Sequence, residues 1–497
     1  MFTLHSPALL IILPLMAAPL CIIIRRSLSA WLIALAANAF TVFFSIALLN
    51  RVMGGEVIHY ALGGWAAPTG IEYYIDTLNA SLMLVISTIS FITLVYSHRV
   101  IQNEIAEPRH YLFYTGWLLC LTGLLGIVIT GDAFNVFVFL EISSLAMYML
   151  IALGKERKQA LLAAFRYLIM GSIGASFILL GIGFLYAATG TLNMADLSAA
   201  LPAVNESRTV LVGFSFITVG LLIKAAVFPV YSWLPGAYQY APSAVSAFLA
   251  GTATKVSLYI FLRFFFHVFG ADYSFGQMLL GKILLPLAIV GFFVMSVVAI
   301  FQSDIRRLLA YSSIAQIGYI FAVVSMATEA GITAGVIHII NHAFIKAALF
   351  VAVGCIIYRL GSANIADMSG LIRSMPWTVS GFIIAGLSLI GIPLTAGFIS
   401  KWYLVTAAID SGWWLIAVMV LLSSFMAIIY IGKIIEAFCF QKTTVQEDDH
   451  ASIKEAPMSM LLPLWTLIAI SLYTGINGDV VVGVAQQAAA QLLGGMQ

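Results

Sequence analysis

The chain reads as long apolar runs, each ended by a short polar or charged cluster. The runs fall at 7–24, 28–49, 78–96, 111–130, 133–153, 161–188 and 209–234, then at 243–269, 278–302, 308–327, 331–358, 378–406, 411–437 and 458–475. Each is close to the roughly 20 residues that carry a helix across a bilayer core. The pattern predicts an all-α integral membrane protein with about 14 transmembrane helices. The leading segment Met1-Phe-Thr-Leu-His-Ser-Pro has no Lys or Arg, and Arg25 and Arg26 follow the first run, so that run is expected to stay as a span with its N-terminus outside. Alternating from there puts fifteen Lys or Arg on cytoplasmic loops and span ends, against Arg51, Arg208 and Lys282 outside. That is the positive-inside asymmetry, and it places both termini outside a bacterial-type inner membrane.

Composition narrows the class further. Of 497 residues 62% are apolar and 9% charged, against about 25% charged in a soluble domain, which excludes a water-soluble globule. A net charge of +2, scattered along the chain, gives no basic face for nucleic acid. Cys21, Cys120, Cys355 and Cys439 form no CxxC and read as small buried hydrophobes, so no metal site or other cofactor is expected. The longest loops, 50–77 and 439–458, the latter with Glu447-Asp448-Asp449, are too short for a catalytic domain. The chemistry therefore belongs inside the membrane, in a transporter rather than an enzyme.

Five basic residues stay well inside apolar runs: Lys224, Lys255, Arg263, Lys346 and Lys401, with Glu141 as the one acid near mid-membrane. A charge at a helix centre costs about 2.5 to 3.5 kcal/mol on insertion scales, which makes each a functional candidate. Burial penalises the charged form of lysine and glutamate, so each can gain and lose a proton near working pH. A structural ion pair is the plainer reading, but one acid cannot neutralise four lysines. Arg263 holds its proton and lies towards the outer end of its span, where a structural, snorkelling role is expected. His338, His342 and Lys346 recur at i, i+4 and i+8 with Asn341 beside them, a polar stripe roughly 12 Å long on one helix face. Imidazole passes protons through its two nitrogens, so the stripe is a candidate relay. Ile339 stands where a zincin helix has its Glu, which weakens a metal reading; a haem ligand pair or a satisfied buried histidine stays open.

Two spans carry breakers beside their lysine. Lys224 is followed by Pro229, Pro235 and Pro242; Lys401 is preceded by Gly391, Pro393 and Gly397. A broken membrane helix frees backbone groups that need protein or water partners, which marks a hydrated cavity unless the break is a plain packing kink. Spans 4 to 8 and 9 to 13 form two sets of five, each broken in its fourth member. An odd number of spans per unit inverts the second unit relative to the first. The expected organisation is residues 1–110 for spans 1 to 3, 111–269 and 278–437 for two inverted five-helix repeats with broken helices 7 and 12, and 438–497 for a cytoplasmic loop, span 14 and a tail.

Four segments in order carry a family resemblance: GDAFNVFVFLE from Gly131, IKAAVFPVYSWLPGAYQYAPSAVSAFLAGTATKVSLY from Ile223, QSDIRRLLAYSSIAQIGY from Gln302 and HIINHAFIKAALF from His338. The chain resembles the antiporter-like subunits shared by Mrp-type sodium/proton antiporters, respiratory complex I and membrane-bound hydrogenases. The resemblance implies Glu141 and Lys224 as a functional pair, Lys255 as the next proton carrier, then His338, His342, Lys346 and a terminal Lys401; Asp304 and Arg306 match a cytoplasmic-end motif of less clear role. It also implies partner subunits, protons and Na+ as the transported ions, and no cofactor. The form around Glu141, Tyr238 and Tyr240 in place of His and Glu, Lys401, and a chain ending about 20 residues after span 14 make it most similar to the D-type component of Mrp antiporters. The rival implied reading is a pump subunit of complex I or a hydrogenase, and a non-transporting scaffold is the second.

Overall fold

A computed structural model describes residues 5–440 and 453–494; Lys442 and the Glu447–Asp449 run lie outside the described residues. Its helices are α1 (Ser6–Ile24), α2 (Ser27–Met53), α3 (Thr77–Glu104), α4 (His110–Ile129), α5 (Ala133–Ala152), α6 (Arg157–Thr189), α7 (Met194–Ala200), α8 (Arg208–Lys224) and α9 (Trp233–Tyr240). There follow α10 (Ser243–Leu262), α11 (Leu280–Ile300), α12 (Ile305–Val324), α13 (Glu329–Leu360), α14 (Pro376–Ile390), α15 (Ala396–Asp410), α16 (Trp414–Cys439), α17 (Met458–Ile476) and α18 (Gly478–Gly494). Twelve helices are long and apolar enough to cross a membrane uninterrupted. The seventh and twelfth runs are each split, into α8 with α9 and α14 with α15, so the described residues make fourteen passages. The chain is a multi-pass membrane protein.

Among the described residues the two-stranded sheet is an antiparallel hairpin, β1 (Ile58–Ala61) with β2 (Glu72–Ile75), in the long loop between α2 and α3, and three isolated β-bridges accompany it. It marks one face of the bundle, the hairpin face. The opposite face carries Arg25 and Arg26 at the end of α1 and Arg306 and Arg307 at the start of α12.

Burial sorts the helices. In α10 and α12, 94% of the apolar window is buried inside the bundle, against 39% in α2, α6, α11 and α16. The second group offers its apolar side chains to lipid, where they need no protein partner. α10, which bears Lys255, and α13, which bears His338, His342 and Lys346 with 78% of its window buried, are thus among the more deeply buried helices, which is where a bilayer tolerates ionisable groups.

Local sequence sets the ends. Asp76 caps α3, accepting from the Asn79 N–H at 3.1 Å while the Asn79 side chain accepts from the Asp76 N–H at 2.8 Å. Asp132 caps α5 and Asp304 caps α12 in the same way, through the N–H three residues on. These two caps belong to matching ladders. The Ala133 N–H donates to Leu192 and the Met194 N–H to Gly131, both at 2.8 Å; the Ile305 N–H donates to Ala363 and the Ile365 N–H to Ser303, both at 2.9 Å. The bridge residues Asn193 and Asn364 each open a short helical turn, and the two segments read Asn193-Met-Ala-Asp-Leu197 and Asn364-Ile-Ala-Asp-Met368. One ladder lies at the hairpin face and its counterpart at the opposite face, each opening the second helix of its set of five. That is an inverted internal repeat written in backbone hydrogen bonds.

The C-terminal α18 was not among the expected spans. It packs on α13 and α3 at the hairpin face, with Gln491 accepting from the Thr77 N–H at 3.0 Å and Gln487 donating to the Val52 carbonyl at 3.3 Å.

Candidate functional site

The two breaks differ from the sequence expectation in detail. Pro229 lies in the seventh break and Pro393 in the twelfth, whereas Pro235 sits within the first turn of α9, where a missing N–H costs nothing, and Pro242 caps α10. Gly391 ends α14 with φ 94°, a conformation that favours glycine. Gly397 lets α15 approach α14 so closely that a Cβ there would meet the Ser388 carbonyl oxygen.

Each break turns freed backbone into a polar partner. The Trp233 indole donates to the Ile223 carbonyl at 2.9 Å, and its ring stacks on Tyr167. Lys401 donates to the Ile390 carbonyl at 2.6 Å and to Ser424 at 2.8 Å, with its ammonium over the Tyr319 ring. Asn341 on α13 donates to the Ala396 carbonyl at 3.0 Å and to Ser400 at 2.9 Å.

The other lysines are held by neutral oxygens too. Lys224 donates to Ser144 at 2.9 Å; Lys346 donates to the Leu309 carbonyl at 2.9 Å and to Ser312 at 2.5 Å; Lys255 donates to the Ala250 carbonyl. Glu141 and Lys224 are within Coulombic reach but make no ion pair, and among the described residues the buried Oε1 of Glu141 has no hydrogen-bond partner. The two therefore lie near each other without bonding, and Ser144, one turn after Glu141 on α5, is the lysine's hydrogen-bond partner.

The remaining groups form one cluster. Lys255 is in electrostatic reach of His338, His342 and Lys346, and His338 of Lys401. The His338 and His342 rings lie parallel, with centroids 5.6 Å apart. Among the described residues none of their four nitrogens has a partner, nor has the Asn341 Oδ1 or either amide atom of Gln316. Buried polar atoms are seldom left so, and small, mobile water is the partner that suits a polar site of this kind. Glu141 and Lys224 stand apart from this cluster. The ground between is taken by three phenols: Tyr167 packs edge-on to Tyr148 and is in electrostatic reach of Tyr238 and Glu141.

Arg263 departs from expectation. It does not snorkel: it is 2% exposed and bound to Asp76 at 2.7 Å, with His267 at 2.9 Å. Sequence reasoning passed over Asp76, Tyr319 and the serine partners. The Asp-x-x-Asn cap at Asp76 and the serines at 144, 312 and 424 were the available signals, but serine is too common in membrane helices to single out.

Fold and side chains together define an antiporter-like membrane subunit. The chain belongs to the NADH:quinone oxidoreductase/Mrp antiporter transmembrane family, whose pattern matches residues 130–427. It is 38% identical over 501 residues to the N subunit of NADH-quinone oxidoreductase from Desulforudis audaxviator, covering 98% of this chain and 99% of that one. It is 33% identical to the D-type component of the Na(+)/H(+) antiporter from Bacillus subtilis, covering 97% and 96% respectively. Among solved structures, a chain of the Mrp complex from Dietzia sp. DQ12-45-1b shares the fold at TM-score 0.90 and 24% identity, with 99% and 98% coverage. A chain of the membrane-bound sulfane sulfur reductase, an archaeal respiratory membrane complex, matches at TM-score 0.89 and 30% identity over 98% of each.

Proposed function

We propose that this chain is the proton-moving subunit of a multi-subunit Na+/H+ antiporter of the Mrp type, its D-type component and not itself an enzyme. Protons pass along Glu141, Lys224, Lys255, His338, His342, Lys346 and Lys401, with Tyr148, Tyr167 and Tyr238 spanning the interval after Lys224. The observation that carries this reading is the cluster of buried amines and imidazoles: among the described residues, four lysines are held by neutral oxygens with no carboxylate in contact, and the nitrogens of the two stacked histidines have no partner. A lysine locked to an acid keeps its proton; one held by a serine and a carbonyl can release it when a neighbour becomes charged. Residues 111–269 and 278–437 act as the two inverted halves. The chain sits in a bacterial-type inner membrane with both termini outside, and works beside partner subunits that carry the Na+ path.

Exchange assays on everted vesicles from an antiporter-deficient host, with and without the partner subunits, test this. Sodium-dependent proton exchange lost in Lys224→Ala and Glu141→Ala with assembly intact is the expected result; unchanged exchange in both would reject it. The 38% identity to an NADH-quinone oxidoreductase component favours a second reading, the same module driven by a redox complex. The subunits that copurify with the chain separate the two: small antiporter subunits against dehydrogenase subunits.

A further inference from the structure

One group of buried charges stands outside the row. Along α10 and the helical turn that continues it, Lys255, Tyr259, Arg263 and His267 recur at intervals of four, a stripe about 18 Å long from the central cluster to the hairpin face. At Arg263 the helix widens into a π-helical segment, Arg263–Val268, and such segments gather at functional sites. Arg263 Nη2 donates to Asp76 at 2.7 Å and Nη1 to His267 Nδ1 at 2.9 Å, while Nε points to the Tyr259 hydroxyl at 3.4 Å. Beyond His267 opens a cavity of about 530 Å³, whose polar wall includes Asp272, Tyr273, Asn205 and Ser198.

The contact with Arg263 fixes the state of the ring. Guanidinium has no acceptor, so Nδ1 of His267 must be the bare nitrogen and the proton sits on Nε2. His267 is 2% exposed, lines the cavity, and its Nε2 has no partner among the described residues. The titratable and charged groups facing it are Arg263 on its own helix, Tyr74 and Asp76 from the hairpin and the α3 cap, and Asp272 and Tyr273 of the cavity wall. α7 contributes Ser198, which donates to the His267 carbonyl at 2.9 Å, and α18 contributes Leu493.

We propose that His267 is a further proton-transfer residue of the pathway, the gate between Lys255 and the hairpin-face cavity, with Arg263 on Asp76 as its bolt. While Arg263 holds Nδ1, the ring takes no proton from within and the fixed cation repels protons, as arginines do in pores that exclude them. In outward passage Arg263 keeps its own proton, leaves Nδ1 and stays on Asp76. A proton coming from Lys255 by way of Tyr259 then binds Nδ1. The Nε2 proton leaves to the cavity, and the ring remains neutral. The proton on Nδ1 then returns to Nε2 by tautomerisation, which lets Arg263 back onto Nδ1. Inward passage runs these steps in reverse: the freed ring first moves its proton to Nδ1, Nε2 then gains a proton from the cavity, and Nδ1 gives its own inward.

This inference rests on the proton-transfer reading above, and its test keeps the two apart. In vesicles holding the assembled complex, exchange is measured per assembled complex for His267→Phe, His267→Gln and Lys255→Ala. Passive proton leak under an imposed potassium diffusion potential is measured for the double variant Asp76→Asn/Arg263→Gln, which removes both charges together. Expected are an exchange rate at least tenfold lower in His267→Phe and a leak several-fold above wild type in the double variant. Should His267→Phe assemble poorly, His267→Gln, of similar size and able to donate, gives the same reading. Wild-type exchange in either assembled His267 variant while Lys255→Ala abolishes it overturns the gate alone, as does a double variant with wild-type leak. Wild-type exchange in Lys255→Ala overturns the proton-transfer reading and the gate with it.

Discussion

Replacing Gly391 by alanine isolates how a broken helix positions its lysine. Gly391 has φ 94°, and a Cβ there would lie 2.7 Å from Cδ of Lys401, where ordinary contact begins near 3.4 Å. The lysine stem must retreat by about 0.7 Å, and it is not free to do so without loss, because its ammonium is held by Ile390 at 2.6 Å and Ser424 at 2.8 Å. A shift of that size takes the longer bond past about 3.2 Å, the upper end of normal hydrogen-bond length. Losing a hydrogen bond to a charged group costs about 1.5 to 3 kcal/mol, and a left-handed alanine costs a further 1 to 2 kcal/mol or so. Only the first part bears on Lys401, and at about 1.4 kcal/mol per tenfold it corresponds to an exchange rate lowered roughly 10- to 100-fold. Gly412→Ala is the control: φ is +77°, and nothing lies within 4 Å of the added Cβ, so the backbone cost comes without the lysine. The assay is sodium-driven proton exchange in vesicles, normalised to assembled complex. Equal rates in Gly391→Ala and Gly412→Ala would refute the reasoning.

Three other outcomes are expected. Ser144→Ala removes the hydroxyl that holds Lys224 and leaves Glu141 as the carboxylate in its electrostatic reach, so exchange should slow by about tenfold through formation of a direct ion pair; carboxylate infrared difference spectra report that pair. Asp132→Ala and Asp304→Ala each remove a cap worth about 1 kcal/mol, and because they lie at opposite faces their losses of stability should add in the double variant, as read from thermal unfolding in detergent. Asn341→Ala deletes two hydrogen bonds from α13 to α15 and should lower stability by about 2 kcal/mol in the same assay.

The positions of the spans were legible because a bilayer demands about 20 apolar residues and punishes charge, so run length and loop charge say nearly the same thing twice. The placement of both breaks was legible from Pro229 and from Gly391 with Pro393. Their geometry was not, since Pro235 in a first turn and Pro242 at a cap look the same in sequence as a proline that breaks a helix. The His338, His342 and Lys346 stripe was visible because its members share one helix. Asp76 and Arg263 are 187 residues apart, and no periodicity links two helices that meet only in the folded bundle. The internal repeat was read from topology alone, though Asn193 to Leu197 and Asn364 to Met368 carry it in five residues each. Their meaning is plain only when both are seen capping equivalent ladders. α18 escaped because its alternation of Val and Ala with Gln is too polar for a span and too short to stand out.

The stripe on α13 has a consequence for traffic. His338 and Lys346 are eight residues apart, about 12 Å of helix rise, and two positive charges at that separation repel by about 1.4 kcal/mol at an effective dielectric of 20. Among the described residues no anion is hydrogen-bonded to either group to cancel that repulsion. If the stripe carries protons as proposed, two simultaneous occupants are disfavoured about tenfold, so an arrival at one end favours departure at the other. On the proposed pathway the interior of this bundle would work as a turnstile.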